Sequence, residues 1–168
     1  VDLPAKLART DFAAKVAEAK WSEKVEGLKL VLEAVGPVPK LDPSADYGDL
    51  VRTLKGLVGH SHFQVAGHAA RCLGLLADGL RRDFHPFSRM TFLALLAACK
   101  DKKLAAALGE ALDRLYAGCL QLDNVVEDLD KEGLDAKKNS PAGRVLLLEW
   151  IARCCTGSES PPPLQRTH

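Results

Sequence analysis

No apolar run in this 168-residue sequence approaches the roughly 20 residues that a membrane-spanning helix needs. Net charge is nearly absent too. With 23 basic against 22 acidic side chains, the chain as a whole gives no argument for nucleic-acid or membrane binding, and any electrostatic role must come from where the charges sit. Aromatics are scarce, with two Tyr and two Trp. β-Branched residues other than Val are few, while Leu and Ala dominate, which is the composition of packed helices rather than sheets. The five cysteines (Cys72, Cys99, Cys119, Cys154, Cys155) lack the spacing of a disulfide framework. Four of them fall on apolar faces of predicted helices, where a free thiol behaves as a small hydrophobe, so a reducing compartment is expected. No Gly-rich phosphate loop, pair of catalytic carboxylates or Ser-His-Asp order is present, and neither an enzyme nor a cofactor is expected. A signal-peptide pattern and an initiator Met are also lacking, and the chain reads as a fragment of a longer one.

What is present is a pattern. Hydrophobic residues at 47% and charged residues at 27% suit one globular domain, expected over residues 1–156. A Ser/Pro-rich linker or disordered tail is expected over 157–168. Predicted helices come in pairs. The first pair is Phe12 to Ala19 followed by a helix after Trp21-Ser22, with Ser22 as N-cap, Val25, Leu28, Leu32 and Val35 on one face, and Pro37 and Pro39 as terminators. The second opens at Tyr47, breaks at Gly59-His60-Ser61 and resumes with Val65, Ala69, Cys72, Leu73 and Leu76. A third follows Pro86, turns at Lys100-Asp101-Lys102-Lys103, and continues with Leu104, Leu108, Leu112 and Leu115. The fourth runs from Leu122 through Val125, Val126 and Leu129, turns at Lys138-Asn139-Ser140-Pro141, and returns with Val145, Leu148, Ile151 and Cys155 on its apolar face.

The breaks inside the pairs centre on positions 21, 60, 101 and 140, which are 39, 41 and 39 residues apart by subtraction. A two-helix unit with a period of about 40 is the signature of HEAT-type repeats. The fold class is therefore all-α, an α-solenoid of HEAT-like hairpins with about four repeats.

In such a stack the within-pair turns share one edge and the between-pair connections share the other. The first edge collects Lys20, Trp21, His60, His62, Phe63, Lys100, Lys102, Lys103, Lys137, Lys138 and Arg144. The second mixes Asp42, Asp46, Asp49, Asp78, Asp83 and Asp123 with Lys40, Arg81 and Arg82. One basic edge with an exposed aromatic suits a large acidic partner. The bland alternative is that turn lysines are simply solvated and Trp21 packs under its own hairpin. A metal site at His60, His62, His68 and Cys72 is disfavoured, because Cys72 lies on the apolar stripe and no carboxylate or second Cys completes the set.

Several segments resemble TOG domains of the microtubule polymerase family, most closely the first or second of them. Lys20-Trp21-Ser22-Glu23-Lys24-Val25-Glu26-Gly27-Leu28 is similar to a TOG opening, and Asp46-Tyr47-Gly48-Asp49-Leu50 to the start of the second repeat. Ala69-Ala70-Arg71-Cys72-Leu73-Gly74, Lys100-Asp101-Lys102-Lys103, Glu110-Ala111-Leu112-Asp113 and Ile151-Ala152-Arg153-Cys154 follow in the family's order. The resemblance runs from about residue 10 to 156.

It implies a monomeric, non-enzymatic module that binds the αβ-tubulin heterodimer at the microtubule plus end. It also implies a cytoplasmic location on the microtubule cytoskeleton, at spindle, centrosome or basal body. Trp21 would pack on β-tubulin, and Arg144 would point to α-tubulin. The third turn's basic contact would fall to Lys102 or Lys103, with Lys100 beside them. His62 and Phe63 stand where the family usually places a small polar residue and a valine. Family members usually have six repeats, so a fifth turn is missing from the four found here, and the last helices are expected to expose apolar surface. The alternatives are a HEAT scaffold that binds through its broad faces, and a TOG domain of a stabilising or ciliary relative with weak tubulin binding.

Overall fold

The computed structural model describes residues 2–37, 39–120 and 125–156. Asp123 and Leu122, and the expected tail over 157–168, lie outside the described residues. The elements are α1 (Leu3–Ala8), α2 (Phe12–Ala17), α3 (Trp21–Val35), α4 (Gly48–Val58), α5 (Phe63–Leu80), α6 (His85–Ala98), α7 (Ala105–Gly118), α8 (Val126–Asp128) and α9 (Pro141–Thr156). Short 3-10 turns at Arg81–Phe84 and Lys102–Leu104 lead into α6 and α7, and a π turn at Leu129–Gly133 continues α8.

The hairpins are α2/α3, α4/α5, α6/α7 and the α8–π segment with α9. Helices α3, α5, α7 and α9 pack in succession to form one layer, and α4, α6 and the π turn form the other. Among the described residues there is no strand, and the HEAT-like solenoid is the fold observed. The core runs unbroken through both layers. Leu28, Val31, Leu54, Leu73, Leu76, Leu95, Leu108, Leu112 and Trp150 are all fully or almost fully buried in it.

The period is visible in the contacts between hairpins. Arg114 reaches Asp78 at 2.7 Å, Arg89 grips Asp128 at 3.0 and 3.1 Å, and Arg153 reaches Asp113 at 3.0 Å. These partners are 36, 39 and 40 residues apart in the chain, one repeat each. Close approach of the stacked helices explains Gly74, where an added Cβ would meet the Ala111 Cα at 3.1 Å.

Several local expectations are corrected. Helix α1 precedes the first predicted pair and buries Leu3 and Leu7 against α3. Ser22 is not the N-cap. Helix α3 already begins at Trp21, with Lys20 in the cap position and no capping side chain. That helix ends at Val35, before Pro37 and Pro39, because Gly36 adopts φ 79°, which a glycine tolerates and which turns the chain out. The fourth pair departs furthest. Its first member is a three-residue helix plus a π turn in which Val125 and Leu129 are buried but Val126 is 58% exposed.

Helix α9 buries a different stripe from the one expected, of which only Ile151 packs against the core. Gly143, Leu147 and Trp150 face the core, while Val145 and Leu148 are 52% and 53% exposed and Cys155 is exposed. The run Val145-Leu146-Leu147-Leu148 offers an apolar residue to either face, so period alone cannot orient it, and the bulk of Trp150 decides. The exposed stripe is the apolar surface expected on the last helix of a short array.

Candidate functional site

The turn edge is assembled by three tight reversals. In the first, Lys24 Nζ donates to the Val16 carbonyl at 2.8 Å and Lys15 pairs with Glu23 at 3.3 Å, tying α2 to α3. This leaves Trp21 at the head of α3 with 41% of its surface exposed. In the second, α4 stops at Gly59 and the next residues are held by two histidine rings. The His62 backbone N–H donates to His60 Nδ1 at 3.0 Å, and the Gln64 N–H donates to His62 Nδ1 at 3.2 Å, capping α5. In the third, Asp101 Oδ1 accepts the Lys103 N–H at 3.0 Å and starts the 3-10 turn.

Residues from these three turns meet. The Trp21 and His62 rings stack with centroids 3.9 Å apart and planes 12° apart. His62 and Phe63 follow at 5.4 Å and 12°, and Lys103 Nζ stands 5.3 Å from the Phe63 centroid. The order Trp21, His62, Phe63, Lys103 is a continuous series of rings ending in a cation, carried by three successive repeats. Offset stacking and a cation over a ring face each contribute on the order of 1 kcal/mol. Lys100 and Lys102 flank the series, exposed and without a carboxylate partner among the described residues.

Arg144 stands apart. It lies in the first turn of α9, half-buried, with its Nε buried and lacking a hydrogen-bond partner among the described residues. The fourth turn is organised instead by Asn139, which sequence reasoning did not single out. Its Nδ2 donates to the Gly133 carbonyl at 2.7 Å, and its Oδ1 accepts the Ser140 N–H at 2.8 Å. Ser140 Oγ then accepts the Gly143 N–H at 3.0 Å, so Ser140 caps the helix that Pro141 opens. A signal was available in the string Asn139-Ser140-Pro141, a strong cap sequence. That Asn139 would be buried was not legible. Lys138 is engaged with Glu132 at 3.0 Å.

The opposite edge is mixed and internally committed. Asp42 accepts from Ser44, Asp46 accepts the Gly48 N–H, Asp49 pairs with Arg52, and Asp78 binds both Arg81 and Arg114. A groove of about 490 Å³ lies there between Pro39, Leu41, Asp78 and Arg82. Among the described residues no group of three or more His, Cys, Asp or Glu side chains is placed to hold a metal ion. His60 and His62 use Nδ1 on backbone N–H groups, His68 Nδ1 sits 2.8 Å from the Gln64 carbonyl, and the buried Cys72 thiol points to the Leu28 carbonyl at 3.6 Å. Burial pushes the Cys72, Cys99 and Cys154 thiols up to about 12, so all three stay protonated and unreactive at neutral pH.

No protein-family model matches the chain. The protein mini spindles of Drosophila melanogaster is 32% identical over 165 residues, covering 95% of this chain and 8% of that protein. Protein MOR1 is 34% identical in Arabidopsis thaliana and 32% in Oryza sativa, each over 157 residues, which is 92% of this chain and 8% of the relative. The chain thus spans 8% of the length of these relatives. A solved structure from work on tubulin recruitment and assembly by microtubule polymerases with Tumor Overexpressed Gene (TOG) domain arrays superposes with a TM-score of 0.81 at 26% identity. It covers 99% of this chain and 34% of that one. Another, from work on microtubule plus end tracking by XMAP215, CLIP-170 and EB1, gives 0.77 at 30% identity over 92% of this chain and 63% of that one.

Proposed function

We propose, for a chain that belongs to the TOG domains of the microtubule polymerase family, that its turn edge binds the αβ-tubulin heterodimer. The observation that carries this reading is the ring series from Trp21 to Lys103, a rigid apolar ridge with cations at one end. Such a ridge fits an apolar pocket bordered by carboxylates. Trp21 is the anchor, since desolvated aromatics supply most interface energy. Lys100, Lys102 and Lys103 add long-range attraction to an acidic partner, which weakens with salt. His62 and Phe63 contribute apolar area beside the anchor. Arg144 serves the α-tubulin half, at the far end of the edge.

The rigidity of the solenoid supports a preference for one shape of a two-part partner. A partner that straightens breaks some of the contacts, so the module would favour curved, unpolymerised tubulin. The chain acts as a binding module and not as an enzyme: its buried thiols are inert, and its edge offers cations and rings rather than a nucleophile beside a base. Through that binding the chain would take part in regulating microtubule growth in the cytoplasm. One domain of this kind binds tubulin without promoting growth, which needs linked binding segments.

Size-exclusion chromatography tests the reading. The chain should co-elute with tubulin at low salt, and the double variant Trp21→Ala/Lys103→Ala should not. A double variant that co-elutes as the parent does would rule out the turn edge as the binding site.

A further inference from the structure

We propose that His62 is a positioning residue whose imidazole sets the height and tilt of the Trp21 indole. The importance of the hold for tubulin rests on the proposed binding edge; the hold itself rests on geometry alone. His62 is fixed at both ends of its own residue. Its backbone N–H donates to His60 Nδ1 at 3.0 Å, and its ring Nδ1 accepts the Gln64 N–H at 3.2 Å. Because Nδ1 is an acceptor, the neutral ring carries its proton on Nε2. The clamped ring then serves as the spacer between Trp21 at 3.9 Å and Phe63 at 5.4 Å. Without it the exposed indole has no flat neighbour to lie on.

His60 stands one step behind. Its Nδ1 accepts the His62 backbone N–H, and burial first, then Lys24 and His62, hold the His60 pKa below its ordinary 6.5. A depressed histidine stabilises the closed turn fully above its ordinary value, and that stability is lost as pH falls below it.

NMR of the ¹⁵N-labelled chain can follow the two indole N–H signals. His62→Asn keeps a cap acceptor but removes the ring, and should displace the Trp21 signal, while the signal of the buried Trp150 should stay still and report an intact fold. His62→Phe restores a flat neighbour and should return the Trp21 signal most of the way. A Trp21 signal that stays still in His62→Asn, or that moves equally in His62→Asn and His62→Phe, overturns the proposal. Tubulin affinity of His62→Asn should fall roughly threefold to tenfold, as for a residue supporting an anchor, and His62→Phe should regain most of it. A displaced and rescued Trp21 signal in a chain whose parent fails to bind tubulin supports the hold and sinks the proposed partner. An unmoved Trp21 signal in a chain that binds tubulin sinks the hold alone.

Discussion

Trp21 stands at the head of α3 with 41% of its surface exposed and His62 lying flat on one face. Trp150, in α9, is fully buried, 5.8 Å from Phe92 and edge-on to Tyr116 at 6.3 Å. Burying a large side chain stabilises a small domain by several kcal/mol, and at Trp150 that gain is reduced only by an indole N–H buried without a hydrogen-bond partner among the described residues. It closes the last hairpin on α6 and α7. At Trp21 much of the gain is forgone in the isolated chain, and the remaining apolar surface is available to a partner. The stack on His62 recovers part of it and keeps the ring in one orientation. One tryptophan therefore belongs to folding and the other to recognition, and substitutions should separate the two.

The largest expected effect is at Trp150. Trp150→Ala should lower unfolding stability by about 3–5 kcal/mol in urea titrations. The fraction that stays folded should bind tubulin as the parent does. An unchanged midpoint would break the comparison. Next, Trp21→Ala should weaken tubulin binding by about 2 kcal/mol or more, while the urea midpoint moves by less than about 1 kcal/mol. A large fall in stability there would return Trp21 to the core. Gly143→Ala sharpens the buried side of the contrast. The added Cβ would intrude on the Cys99 carbonyl oxygen and on Asn139 Oδ1. The cost should be about 1–3 kcal/mol of stability, typical of overpacking.

The smallest effect belongs to the ion pairs that link hairpins. Asp128→Asn should cost less than about 1 kcal/mol, since Arg89 is largely solvent-exposed, and the difference should shrink with added salt. The hydrogen bonds from Arg89 hold the Asp128 pKa below its ordinary 3.8. Its contribution is therefore present above that pH and is lost as pH falls below it. Equal acid sensitivity of parent and variant in that range would show that the pair adds nothing.

The difference between the two edges also explains which parts of the site were legible. Trp21, Phe63, Lys100, Lys102 and Lys103 were placed on one edge because turns recur every 39 to 41 residues, and turn chemistry is local. Arg144 was placed on the same edge by register, yet it sits half-buried and joins neither the ring series nor an ion pair among the described residues. The weight of Asn139 was hidden because a turn asparagine is ordinarily solvated. Its burial depends on Gly133 and Cys99, which come from other segments.

By itself the sequence determined the helix pairs, their period and the edge on which each turn emerges. These follow from apolar spacing within a helix and from breakers between helices, interactions that span a few residues. Only the tertiary structure decided which stripe of α9 is buried, that α8 gives way to a π turn, and that the Trp21 ring lies on His62 and leads through Phe63 to Lys103. Those outcomes hang on side chains about one repeat apart, where shape and close packing select among partners that local pattern treats as equal.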